Sequence, residues 1–230
     1  MKLLRQTPAL AAHPMSDLTS TSALAEQLAE GALDPDLLAL VWILAESGVP
    51  LTVAAMDTTA GRDLRSGICA LLPTEHRAAD LALAGGTVAA GSLEDVLRVL
   101  GGWGHGDPGD SDHGVPGHGG AADGEIADEV RDLGIVLILR DRRVEAAHYV
   151  RPVERDAAGH LQRRPPALLA AWNAEAHEPD HFYWAITDEL ATRAGMERDE
   201  FEAEHRRRRE RLSNMVPRQP GAGNDADARN

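Results

Sequence analysis

Cysteine, aromatic residues, positive charge and long apolar runs are all scarce in this 230-residue chain, and each shortage closes off a class of protein. Cys69 is the only cysteine. No internal disulfide and no cysteine-rich zinc site can form, and the expected compartment is a reducing cytoplasm. Inside the apolar stretch 68–72 this thiol reads as buried and inert. A formal net charge of −14 argues against a dedicated nucleic-acid binder, because neutralising phosphates needs a concentrated basic surface, and the arginine run 206–209 is surrounded by glutamates at helical spacing. No segment approaches the roughly 20 apolar residues of a membrane span. Gln6, Thr7 and Pro8 interrupt the start of the chain where a signal peptide needs its apolar region.

What is present is enough for one main domain with extensions, since 43% of the residues are hydrophobic. Residues 1–33 read as a peripheral segment with one short helix, in which Leu24 and Leu28 are spaced i, i+4. Asp34 is a good N-cap, Pro35 fits a first helical position and Gly48 suits a C-cap. The helix between them is apolar on nearly every side and is predicted to be buried. A strand over 50–55, a loop over 56–61 and a helix over 62–72 follow, the last ended by Pro73. A short strand over 87–90 precedes a helix capped by Ser92 and running to residue 100.

The tract 101–124 is rich in Gly, His and Asp and reads as a flexible linker. His105, His113 and His118 within it are too irregularly spaced to fix a metal geometry, so no metal site is assigned. Residues 125–216 form an α+β region: a helix over 125–133, an apolar strand over 135–139, a basic turn and a strand over 144–150 as a β-hairpin. Strands over 168–172 and 181–185 come next. Thr187 caps a helix to residue 194, and a charged, salt-bridged helix spans 198–212. Trp172, His181, Phe182, Tyr183 and Trp184 are expected to pack the core of this region. The tail 217–230 is predicted to be disordered.

Strand, loop, helix is the order of a phosphate-binding P-loop, whose pattern is G-x-x-x-x-G-K-S/T. Residues 56–63 read MDTTAGRD. The second glycine is kept as Gly61 and a cation as Arg62, while Asp63 replaces the magnesium-binding hydroxyl and Met56 the first glycine. The flanks carry more. DPDLLALVWILAESGVPLTVAA before this loop, DLRSGICALLP after it, GTVAAGSLEDVLRVL over 86–100 and LGIVLILRDRRVEAAHYVRPVERDAAGHLQRRPP over 133–166 resemble, in order, blocks of the type II secretion and type IV pilus assembly ATPases.

That resemblance implies an α/β fold: a partial P-loop NTPase-like core over 34–100, an antiparallel β-rich C-terminal region and terminal helices. It also implies a degenerate, internally shortened member. Ala89 stands where the family has a histidine, and the few residues between 72 and 85 leave no room for the family's Walker B strand. Phosphoryl transfer depends almost wholly on such charged groups, so ATP hydrolysis is not expected and no catalytic residue is assigned.

The expected role is an interaction or regulatory component of a secretion or pilus system, with protein partners of that system and self-association as implied contacts. Gly61, Arg62 and Asp63 are the candidate nucleotide-binding residues, with ATP or ADP and magnesium as the ligand they could hold. An ordinary β–α turn is the competing reading, because Asp57 and Asp63 repel phosphate. His148, Arg163 and Arg164 are the candidate partner-binding residues. A rival of another class is an unrelated enzyme using His148 and His160, with Asp156 or Glu154 beside them.

Overall fold

The structure is a computed structural model in which residues 18–73, 86–101, 132–155, 161–162 and 164–216 are described. The linker tract beyond residue 101, residues 125–131 of the helix expected over 125–133 and the tail from 217 lie outside the described residues, and residues 132–133 are not helical. Helix α1 (Leu18–Ala29) precedes α2 (Pro35–Glu46). The Asp34 carboxylate starts α2 by accepting from the backbone N–H of Asp36 at 2.9 Å and of Leu37 at 3.1 Å, as the sequence predicts. All nine residues from Leu37 to Ala45 are buried. They can be, because α2 shares one core with the sheet and with α6 (Arg198–Ser213), so no side of it faces water. Helix α1, expected at the periphery, also joins this core through Leu24, Leu28 and the following Leu33.

The strands are β1 (Leu51–Ala55), β2 (Thr87–Val88), β3 (Gly134–Arg140), β4 (Arg143–Val150), β5 (Glu154–Arg155), β6 (Leu161–Gln162), β7 (Ala167–Asn173) and β8 (Glu178–His181). Six of them form one mixed sheet in the order β2-β1-β3-β4-β7-β8, and β5 and β6 pair separately. Strand β1 is parallel to β2, with Val53 opposite Thr87, and parallel to β3, with Leu51 opposite Ile135. From β3 to β8 the pairing is antiparallel. The fold is therefore mixed α/β, and the sheet runs unbroken from the 34–100 part of the chain into the 125–216 part.

Side chains alternate across this sheet, as the two-residue repeat of a strand requires. Leu51, Val53, Ala55, Ile135, Leu137 and Leu139 face the core shared with α2. Ala54, Val136, Ile138 and Val150 face the other way, onto Val96 of α4 (Leu93–Gly101). With both faces covered, β1 and β3 must be apolar at almost every position. Strand β3 starts at Gly134, whose φ is +57°. A Cβ there would run into the Pro50 carbonyl, so only glycine fits. The β3–β4 hairpin closes on Asp141 (φ 49°) and Arg142 (φ 62°), the left-handed pair of a type I′ turn.

Five further expectations are corrected. Helix α3 (Thr58–Cys69) begins at Thr58 rather than at 62, because Asp57 caps it. Residues 182–185 are not strand: β8 ends at His181, and Tyr183–Ile186 winds into a single 3-10 turn. Of the aromatics there, Trp184 is 69% exposed and Phe182 is also exposed. Thr187 starts α5 (Thr187–Arg193) without capping it; its hydroxyl donates to the carbonyl of Trp184 at 3.2 Å. Helix α6 is salt-bridged but not wholly solvated, since Phe201, Glu204, His205 and Leu212 are buried against α2.

Candidate functional site

Strand β1 delivers the chain to α3 across only two residues, Met56 and Asp57. The Asp57 side chain accepts from the N–H of Thr59 at 2.9 Å and of Ala60 at 3.4 Å. These are among the donors that a helix N-terminus leaves unsatisfied, and the ones an anion would otherwise use. Gly61 lies inside the helix, donating its N–H to the Asp57 carbonyl at 3.2 Å. Its missing side chain serves packing. A Cβ there would meet Thr87 Cγ2 at 2.8 Å and the Ala55 methyl at 3.1 Å, so α3 rests on β1 and β2 at this point. Arg62 and Asp63 follow on the exposed side of the helix. Asp63 lines a polar cavity of about 290 Å³ with Glu26, Glu30, Ser66 and Arg142. Gly61, Arg62 and Asp63 are thus consecutive but divided between the packed and the solvated sides of α3.

The C-terminal candidates are also separated in their surroundings. His148 sits half-buried in β4, between Val136 of β3 and Leu168 of β7. Burial pushes its imidazole pKa below the ordinary histidine value. Arg164 pairs with Glu154 at 3.0 Å and approaches Glu189 at 3.9 Å. Glu189 is itself gripped by Arg151, through bonds of 2.7 and 2.8 Å. Glu154 is thereby engaged in an ion pair. Arg163, His160, Asp156 and the histidines of the 102–124 tract lie outside the described residues.

A different cluster comes together where the sequence offers no motif. Around the N-terminus of α2, the Tyr183 hydroxyl donates to Asp36 Oδ2 at 2.6 Å. His205 Nε2 donates to the Asp36 carbonyl at 2.9 Å, and Arg209 approaches Asp36 Oδ1 at 3.3 Å. His181 lies between two carboxylates, its Nε2 3.3 Å from Asp34 Oδ1 and its Nδ1 3.8 Å from Asp36 Oδ2. Burial opposes the charged form of His181, but the hydrogen bond and charge of Asp34, backed by Asp36 and Asp180, hold its pKa above the ordinary value. For Tyr183, burial first and then the bond to Asp36 drive the phenol pKa well upward, so it stays neutral.

Next to this cluster, Asp34, Val144, Ala170 and Glu178 line a cavity of about 210 Å³. Arg143 stacks on the Trp172 ring at its rim, 3.9 Å from the centroid. Asp34, Asp36, His181, Tyr183, His205 and Arg209 come from three distant segments. The only local signal was the cap at Asp34, whose second task depends on the tertiary fold.

Among the described residues no group of three or more His, Cys, Asp or Glu side chains is placed to hold a metal ion, and no helix is long and apolar enough to cross a membrane. No protein-family model matches the chain, and no curated protein matches it.

Proposed function

We propose that this chain is a non-hydrolysing relative of the secretion and pilus-assembly ATPases, acting in the cytoplasm as an interaction or regulatory component of such a system. The observation that carries the reading is the Asp57 carboxylate on the amides of Thr59 and Ala60. A helix N-terminus after a parallel strand is where a P-loop core holds phosphate. Here an anion of the chain itself takes those donors, and a phosphate brought to the same place meets its charge. The strand–turn–helix unit of β1 and α3, with β2 and β3 parallel on either side, supports a partial P-loop NTPase-like core. Residues 56–63 supply no lysine, and Asp63 stands where magnesium needs a hydroxyl. What such a protein keeps is its surface, through which it binds related subunits.

Calorimetry of ATP and ADP against the purified chain, with and without magnesium, tests the first half of this reading. The expected outcome is no binding up to about millimolar nucleotide, a limit of about −4 kcal/mol. Micromolar binding that Arg62→Ala abolishes overturns it and makes the turn a working nucleotide site. The second half is tested by adding the chain to an intact secretion ATPase from the same genome. Co-elution and an altered hydrolysis rate are expected, and the absence of both removes the regulatory role.

A further inference from the structure

The cluster around Asp36 joins the end of β8, the 3-10 turn and α6 to the first turn of α2, and one of its members is suited to change charge near neutrality. We propose that His181 is a proton-operated clasp: its charged ring ties the C-terminal segment 178–213 to the N-terminus of α2, and loss of the proton slackens that tie.

The geometry asks for the cation. A neutral imidazole has one N–H and one lone pair, so with a carboxylate near each nitrogen one lone pair must face an anion. The charged ring directs an N–H toward each. Nε2 reaches Asp34 Oδ1 at 3.3 Å, while Nδ1 is buried without a hydrogen bond and faces Asp36 Oδ2 at 3.8 Å, within ion-pair range.

Asp34 and Asp36 on α2 and Asp180 on β8 favour the cation. On α6, Arg209 opposes it, but is itself drawn to Asp36 at 3.3 Å, and His205 spends Nε2 on the Asp36 carbonyl. Tyr183 meets the ring edge-on at 5.7 Å and remains neutral. The positive end of α2 also opposes the cation, and the two aspartates screen it.

The sign follows from linkage. A histidine whose folded pKa lies above its unfolded value stabilises the fold fully below about pH 6.5, and that contribution is lost as pH rises through the folded pKa. His148 runs the other way: with its pKa lowered by burial, its contribution is present above about pH 6.5 and lost as pH falls through the folded value. The alkaline limb of the stability profile is therefore the one that reports the clasp. Asp34 and Glu178 also line the cavity of about 210 Å³, so slackening the tie loosens the walls of that cavity.

The test uses the full chain, wild type and Asp34→Asn, with His181→Gln as a second variant. Asparagine caps a helix as well as aspartate does, so Asp34→Asn removes the charge while keeping α2. The His181 ring protons are titrated by NMR, and urea midpoints are measured from about pH 6 to about pH 9, across the range in which histidine changes charge. The expected result is a wild-type His181 that titrates above the ordinary value and moves down in Asp34→Asn. The stability gap between wild type and either variant should be widest at the acid end and close as pH rises. A wild-type His181 titrating at or below the ordinary value overturns the proposal. So does a gap of constant size across the range.

Discussion

One absent methyl group sets how closely α3 lies on the sheet. Gly61 is the fourth residue of α3, where alanine is intrinsically better by up to about 1 kcal/mol, yet its added Cβ would sit 2.8 Å from Thr87 Cγ2 and 3.1 Å from the Ala55 methyl. Overpacking of this kind costs about 1–3 kcal/mol, so Gly61→Ala is expected to destabilise the protein despite the gain in helix propensity. A fall in the urea midpoint at unchanged slope checks this, and a rise would show that β2 yields to α3. The same residue explains a limit of sequence reading. A glycine that lets backbone wrap a phosphate and a glycine that lets a helix touch a strand are the same letter, and only the neighbours Thr87 and Ala55 tell them apart. Asp57 is a second instance, since its repulsion of phosphate was legible but its capture of two helix amides moved the start of α3 by a full turn.

At the level of elements, α1 is the one whose role changes most between pattern and packing. Its composition is plain and its start weakly marked, but Leu24 is fully buried and its side chain lies 3.3 Å from where a Cβ on Gly67 of α3 would stand. Leu24→Ala is expected to cost about 2–5 kcal/mol, the range for a leucine truncated in a closed core. A loss under 1 kcal/mol in urea denaturation would mean that α1 is only draped over the surface. Elements defined by local chemistry were legible in advance: α2 through Asp34, Pro35 and its apolar run, α4 through Ser92, and β3 with its hairpin. Those defined by what lies across from them were not. In α6 the arginines and glutamates hide the line of Phe201, His205 and Leu212, and burial there is decided by α2 rather than by periodicity. The Asp36 cluster was illegible for the same reason, because its members are brought together only when α6 and the 3-10 turn settle on α2.

For the whole molecule, the decisive fact is the pairing of β1 with β3 over five residue pairs. It makes the 34–100 part and the C-terminal part share a sheet, so neither can lose its strands without unpairing the other. Unfolding is therefore expected to be a single transition in which far-UV circular dichroism and the fluorescence of Trp42, Trp172 and Trp184 coincide. Two separated transitions would show that the halves fold on their own.

The far end of that sheet has its own effect on how the molecule can associate. Strand β8 pairs on one side with β7, and its second residue is Pro179. Proline is tolerated at a sheet margin because its nitrogen has no hydrogen to offer. A strand arriving alongside β8 finds a rung missing from the ladder it would need to climb, a common guard against runaway edge-to-edge stacking. Any companion of this protein that approaches from that side meets a strand one donor short, since at Pro179 the backbone can accept a hydrogen bond but not offer one.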